Sequence, residues 1–303
     1  MVEADLVRQS RAPSNEQSPP IAETVMFIDQ TPPPAVVVQA PPPQVAARVA
    51  PAWDLTVGLI NATVQVDQPL GDGTRKVGTA FLINAPRADG QPRTVLVTAA
   101  HVLEQMPSAG SRIGWRVQGA DGGWRFDASP FVIRDAAEQP LWVRHPDRDV
   151  AVMEITAPDA FARAAIPLAW LADRNAFEDF EVGPGDELLS LGFPRGLSAN
   201  RAGFPILRVG RVASWPVSPV EAFPTFLLDF KVFPGNSGGP VFWTASARRR
   251  PDAPAPDHPF IAGLLAQEVV SGGERLDLGV VVHAEYIREA ISLLDVTPPA
   301  PRR

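Results

Sequence analysis

The sequence has no cysteine and only one tyrosine in 303 residues. Without thiols there is no disulfide scaffold, no thiolate zinc site, no iron–sulfur cluster and no cysteine nucleophile. Positive charge is also scarce: 27 Lys and Arg stand against 34 Asp and Glu, a net charge of −7. Binding to phosphate backbones needs a basic surface, so nucleic acid is not an expected partner. No apolar run approaches the roughly 18 residues that span a bilayer, and no membrane partner is expected. The N-terminus carries Glu3 and Asp5 and no basic segment leading into an apolar stretch. It does not read as a secretory signal, and a cytoplasmic location is the expectation.

Proline, by contrast, is abundant at 34 residues, about twice ordinary usage. The first 51 residues hold the runs Pro19-Pro20, Pro32-Pro33-Pro34 and Pro41-Pro42-Pro43. Proline removes backbone donors and fixes φ, so this stretch reads as a disordered, partly polyproline-II arm. Its apolar island, 25–28, offers a docking point for a regulatory partner. A second proline-rich stretch, 245–259 with Arg248-Arg249-Arg250, reads as an exposed insertion between two strands.

From Trp53 onward the chain breaks into short β-rich runs cut by turn residues. One group covers 56–66, 78–83, 94–98, 112–117 and 149–155; a second covers 187–191, 206–212, 225–232, 260–266 and 278–282. Asp72-Gly73 and Asp121-Gly122 lie between runs as hairpin turns, with glycine supplying the positive φ. Short strands at this density argue for barrels or sandwiches rather than βαβ units. Helix signals are few: a short connector at 160–165, and an amphipathic helix at 284–294 with Ile287, Ile291 and Leu294 on one stripe. The expected organisation is an arm at 1–51, a β domain at 52–296 and a tail at 297–303. Within the domain, a first barrel at 52–157 and a second at 185–283 flank a connector at 158–184.

The strongest motif is Gly235-Asn236-Ser237-Gly238-Gly239-Pro240. G-x-S-G-G-P arises by chance in roughly a few per ten thousand chains of this length. Serine attacks a carbonyl only if a base removes its proton, and the oxyanion formed needs donors. A glycine two residues before the serine lets the backbone turn so that Gly235 N–H and Ser237 N–H converge, with Asn236 between them. Of the four histidines, His101 ends an apolar run in small residues, where its ring sits free at a barrel rim. His145 and His258 lie beside prolines in loops, and His283 begins the terminal helix. The acid that orients the imidazole is Asp149, which opens the apolar run 149–153, with Asp147 and Asp229 as competitors. The order His101, Asp149, Ser237 and the strand-like residues after the serine disfavour a nucleophile elbow of the α/β-hydrolase kind.

Thr98-Ala99-Ala100-His101, Asp149-Val150-Ala151-Val152 and Gly235-Asn236-Ser237-Gly238-Gly239-Pro240 together resemble the three signature segments of trypsin-like serine proteases. The G-N-S-G-G-P form, with Asp229 eight residues ahead, is most similar to the protease domain of the bacterial HtrA/Deg branch, without a PDZ domain. The similarity extends roughly over 53–294. It implies an all-β fold of two packed antiparallel barrels, chymotrypsin-like, closed by a C-terminal helix. It implies Ser237 as nucleophile, His101 as general base and then acid, Asp149 as orienting carboxylate, and Gly235, Asn236 and Ser237 as the oxyanion segment. No metal or organic cofactor is implied. An Ile-Val-Gly-Gly type start is absent, so activation by a freed N-terminus is not expected.

In the resembling fold the primary pocket is walled by the residues before the serine and by a later strand, here 231–233 and 266–270. Lys231 and Val232 alternate, and Val232 is the expected lining residue beside Phe233; Glu268 and Val269 alternate on the far wall. The expected activity is cleavage of protein or peptide substrates after an aliphatic P1 residue through an acyl-enzyme. Two alternatives use the same residues: a protease-fold binding module without turnover, and a latent effector protease switched on by a partner in a stress or defence pathway.

Overall fold

Strands dominate the residues the structure describes, which are 54–244, 254 and 259–296 of a computed structural model. All belong to one unit, Arg48–Arg303. The proline-rich arm, the tail, and all of the 245–259 insertion except Pro254 and Pro259 lie outside the described residues, as does His258.

The chain opens with helix α1 (Asp54–Ala62) and continues through β1 (Thr63–Pro69), β2 (Arg75–Asn84), β3 (Thr94–Thr98), helix α2 (Ala100–Glu104), β4 (Gly110–Gln118) and β5 (Trp124–Val132). Next come β6 (Val143–Arg144), β7 (Ala151–Ile155), helix α3 (Asp159–Ala164), β8 (Ile166–Pro167) and helix α4 (Ala176–Asp179). The first eight strands form one sheet in the order β5-β4-β1-β2-β3-β7-β6, with β8 parallel beside β2. The second group, β9 (Glu187–Gly192), β10 (Ile206–Val212), β11 (Thr225–Asp229), β12 (Pro240–Trp243), β13 (Phe260–Ser271) and β14 (Glu274–His283), forms a closed six-stranded barrel. Helix α5 (Ala284–Val296) follows and packs against β7 and β13.

Two strand readings need correction. The run 56–66 is not one strand, because its first half folds as α1. Leu55, Leu59 and Ala62 recur at helical spacing and are fully buried, and this stripe outweighs the β-branched Thr56, Val57 and Ile60. The strand after Asp149 begins only at Ala151, which leaves Asp149 in the turn ahead of it. β5 goes beyond the expected strands. Its sequence alternates over 124–129, but Trp124, Phe126 and Val132 are exposed rather than core-facing, and it is held by nine register pairs to β4 across the turn at Gly122.

A buried cation fixes α1. Arg116 of β4 donates to the carbonyls of Ile60 (3.1 Å) and Asn61 (2.7 Å), filling acceptors that a helix end leaves open. Its guanidinium also lies over the rings of Phe161 and Phe204 at 4.9 and 5.1 Å. Burial pushes the Arg116 pKa down to about 10, so it remains charged at neutral pH.

His283 does not begin the helix; it is the last residue of β14 and is buried between Phe177 (4.5 Å) and Phe226 (4.9 Å). Burial pushes its pKa down to about 4, against a smaller opposing effect of its hydrogen bond to the Val217 backbone. An unfolded histidine titrates near 6.5, so the unfolded chain takes the proton first as pH falls. Its contribution to stability is therefore intact above pH 6.5 and is lost between there and pH 4, by about 3 kcal/mol. Denaturant unfolding of wild type and His283→Gln should show this component in the wild type alone; parallel pH curves would refute it.

Candidate active site

Antiparallel register brings the first two residues together. β3 pairs with β7 so that Thr98 faces Ala151 and Val97 faces Val152. The end of β3 therefore lies beside the start of β7, and the residues just beyond, His101 and Asp149, meet. The two Asp149 oxygens are divided between one partner's groups: Oδ2 lies 2.6 Å from His101 Nδ1, and Oδ1 accepts the His101 backbone N–H at 2.9 Å. A carboxylate at Nδ1 selects the tautomer protonated there and leaves Nε2 as a base. Burial would raise the Asp149 pKa, but the hydrogen bonds and charge of His101, with help from Arg144, hold it below the usual carboxylate range.

The competing residues point elsewhere. Asp147 is exposed, and its backbone N–H goes to His145 Nδ1. Asp229 is exposed on β11 opposite Arg211. His145 is buried; its Nδ1 accepts the N–H groups of Asp147 and Arg148, and its Nε2 meets Glu289 of α5 at 3.0 Å. It braces the turn that carries Asp149.

Ser237 lies in the turn between β11 and β12, and Thr79 of β2 carries this turn to the end of β3. The Thr79 backbone N–H donates to Ser237 C=O (2.9 Å), and its hydroxyl donates to Gly235 C=O (2.6 Å) while accepting Phe193 N–H (3.1 Å). Its own carbonyl accepts the Thr98 hydroxyl at 2.7 Å. Gly235 and Gly238 take φ of +94° and +85°, a region that L side chains avoid. A Cβ at Gly238 would collide with Thr79 O and Thr98 Oγ1, and one at Gly235 with Phe193 O.

The N–H groups of this turn divide sharply. Asn236 N–H goes to Phe233 O, Gly238 N–H to Leu265 O and Gly239 N–H to Asn236 O. Those of Gly235 and Ser237 have no acceptor among the described residues. The oxyanion segment thus offers two donors, and Asn236 is not one of them. Arg195 N–H holds Pro234 C=O (2.6 Å), which turns the other edge of that trans peptide, Gly235 N–H, the opposite way. Ser237 is half-buried, and among the described residues its hydroxyl makes no hydrogen bond to His101. Such bonds are often long before substrate binds.

The pocket residues separate less simply than alternation suggests. Val232 is buried against Gly279, whereas the Lys231 side chain is 53% exposed and 3.8 Å from Asp277. Phe233 is half-buried beneath cationic side chains. On β13, register shifts at 265–267 and 268–270 break the alternation, so Glu268 and Val269 do not divide cleanly between two faces. Val269 is half-buried. Glu268 is 13% exposed in its side chain and reaches Arg275 at 3.3 Å.

The family described as trypsin-like peptidase domain matches residues 78–247, more than half of the chain, and the chain belongs to that family. No curated protein matches it in sequence. Similar solved structures include a variant of the HtrA-type protease AlgW with a tripeptide, 14% identical with a TM-score of 0.49, covering 81% of this chain and 64% of that one. Protease Anisep from Arthrobacter nicotinovorans is also 14% identical, with a TM-score of 0.45, covering 79% of this chain and 98% of that one. The chain therefore spans less than two thirds of the AlgW chain.

Thr79 is the site residue that motif reading passes over, although Gly78-Thr79 opens the matched family segment. Thr79→Val keeps the volume and strands two buried backbone groups, Gly235 C=O and Phe193 N–H. The expected cost is about 1–3 kcal/mol, measured by denaturant unfolding, with Thr79→Ser close to wild type. Equal stability of the valine and wild-type proteins would refute the bridging role.

Proposed function

We propose that the chain is a serine endopeptidase in which Ser237 is the nucleophile, His101 the general base and then acid, and Asp149 the orienting carboxylate. The observation that carries this reading is the pair of unpaired N–H groups on Gly235 and Ser237, set beside a His101–Asp149 hydrogen bond of 2.6 Å. Ser237 Oγ attacks the scissile carbonyl and passes its proton to His101 Nε2. The two N–H groups receive the oxyanion, and Asp149 stabilises the imidazolium. His101 then protonates the leaving amine, and water repeats the sequence on the acyl-enzyme. Among the described residues, 266–271 of β13 pair only with β14, which leaves their other edge to add the substrate as a strand.

A fluorophosphonate should label Ser237 and leave Ser237→Ala unlabelled. Asp149→Asn should lower kcat by about 10⁴-fold, while Asp147→Asn stays near wild type. The reverse ranking would overturn the acid assignment. A folded wild type that never labels would overturn the active-protease reading in favour of the binding module or the latent protease, and labelling gained only on adding a partner would single out the latter.

For the substrate we infer an aliphatic P1 residue, supported by Val232 facing inward while Lys231 faces solvent and Glu268 is held by Arg275. Peptides differing only at P1 should be cleaved after Val, Ala or Leu and poorly after Arg or Lys, because burying a cation is costly where the nearby acid, Glu268, already gives Oε2 to Arg275 and has only its buried Oε1 unbonded among the described residues. A preference for Arg or Lys that vanishes in Glu268→Gln would refute the aliphatic pocket.

A further inference from the structure

Most arginines of the described region face an acid. Arg75 and Arg112 share Asp67, Arg87 meets Glu154, Arg93 meets Asp295, and Arg174 meets Glu221 and Glu285. Among those without an acid within 4 Å, Arg195 and Arg208 converge beside the oxyanion turn. The Arg195 guanidinium lies 5.4 Å from the centre of the Phe233 ring and that of Arg208 5.6 Å, with Arg208 also 5.3 Å from Phe230. Among the described residues neither guanidinium has an acid within 4 Å or donates a side-chain hydrogen bond. Lys231 Nζ, 5.8 Å from the same ring, adds a third cation, partly neutralised by Asp277 at 3.8 Å.

Contact with an aromatic face orients a guanidinium but leaves its five N–H donors open, and those donors match a carboxylate in geometry. Of the three cations around one ring in a chain of net charge −7, Lys231 has Asp277 near it, while Arg195 and Arg208 repel one another with no acid within 4 Å among the described residues. Their place relative to the reacting serine is set by the backbone. Arg195 N–H holds Pro234 C=O, one peptide from the Gly235 donor. On its other flank the turn is bonded to β13 through Gly238 N–H and Leu265 O, beside the free edge where the acyl half of a substrate would lie. The leaving half then departs over the opposite flank, toward Arg195 and Phe233.

We propose that Arg195 and Arg208, held over Phe233, form a subsite that selects an acidic side chain on the leaving-group side of the scissile bond. The subsite rests on the serine endopeptidase reading for its direction, and it names the substrate class that reading leaves open: segments with Asp or Glu shortly after the cleaved bond.

The test is a peptide series with one optimal P1 residue and Glu, Ala or Lys placed in turn at P1′, P2′ and P3′. At low ionic strength, Glu at one primed position should raise kcat/KM about tenfold over Ala, and high salt should erase most of the gain. The Glu-to-Ala ratio should fall toward one in Arg208→Gln and Arg195→Gln, persist in part in Arg208→Lys, and shift toward Lys in Arg208→Glu. Melting temperatures of the variants separate lost selectivity from lost fold. The same peptides, fluorescently tagged, are titrated onto Ser237→Ala, so that acid selection is read from Kd without turnover. A wild type that fails to react with fluorophosphonate, while Ser237→Ala still prefers Glu through Arg208, would remove the protease reading and keep the subsite. Equal binding and cleavage of Glu and Ala peptides would refute the subsite, as would an acid preference confined to P1 and lost in Lys231→Gln.

Discussion

One buried threonine holds the two strand groups in functional alignment. Thr79 is fully buried on β2 and bonds to the ends of three other segments: Thr98 on β3, Phe193 after β9, and the turn carrying Gly235 and Ser237. His101 lies in α2, three residues beyond the end of β3, so Thr79 ties the segment that carries the imidazole to the turn that carries the serine. In a buried setting each of these groups would lose hydration without a partner, which makes the arrangement close to obligatory.

Charge is placed with the same economy. Asp67 is buried and takes both Arg75 and Arg112, and Arg93, itself buried, reaches Asp295 of α5. Arg116 lacks an acid but receives carbonyls and ring faces instead. A buried ion survives only when its donors are filled. These buried ions follow the rule, whereas beside the oxyanion turn Arg195 is exposed and Arg208 half-buried, and neither has an acid within 4 Å among the described residues.

Much of this was legible in the residues. The β-rich texture, the Gly73 and Gly122 turns and the terminal helix follow from short-range rules that local geometry obeys. The glycines around Ser237 were legible because positive φ and close backbone approach leave no other residue type. What stayed hidden depends on distant partners. The β-branched residues of α1 suggest a strand until Leu55, Leu59 and Ala62 are seen to share one buried face. β5 alternates apolar and polar residues over 124–129, but its apolar residues Trp124 and Phe126 stay exposed, so the pattern does not mark a core face. The broken alternation at Glu268 and Val269 comes from bulges set by pairing with β14, and the meeting of Arg195 with Arg208 comes from the closure of a barrel. The bulges and the meeting of the two arginines leave no mark at fixed sequence spacing, and the spacings that α1 and β5 do carry are open to more than one reading until the partners are seen.

The turn from Pro234 to Gly239 shows how a chain keeps two donors free where nearly every backbone N–H is paired. Pro234 has no N–H, and its carbonyl is drawn away by Arg195. Asn236, Gly238 and Gly239 spend theirs on Phe233, Leu265 and Asn236, which pins the turn at three points. Only the N–H groups of Gly235 and Ser237 remain, two residues apart and fixed by their neighbours' bonds. Leaving a buried N–H unpaired costs about 1–3 kcal/mol, and the fold meets that cost with the surrounding contacts. An oxyanion forming at Ser237 would supply the missing acceptor, so the strain of the empty turn would be relieved as the transition state is reached, and not when an uncharged carbonyl first binds.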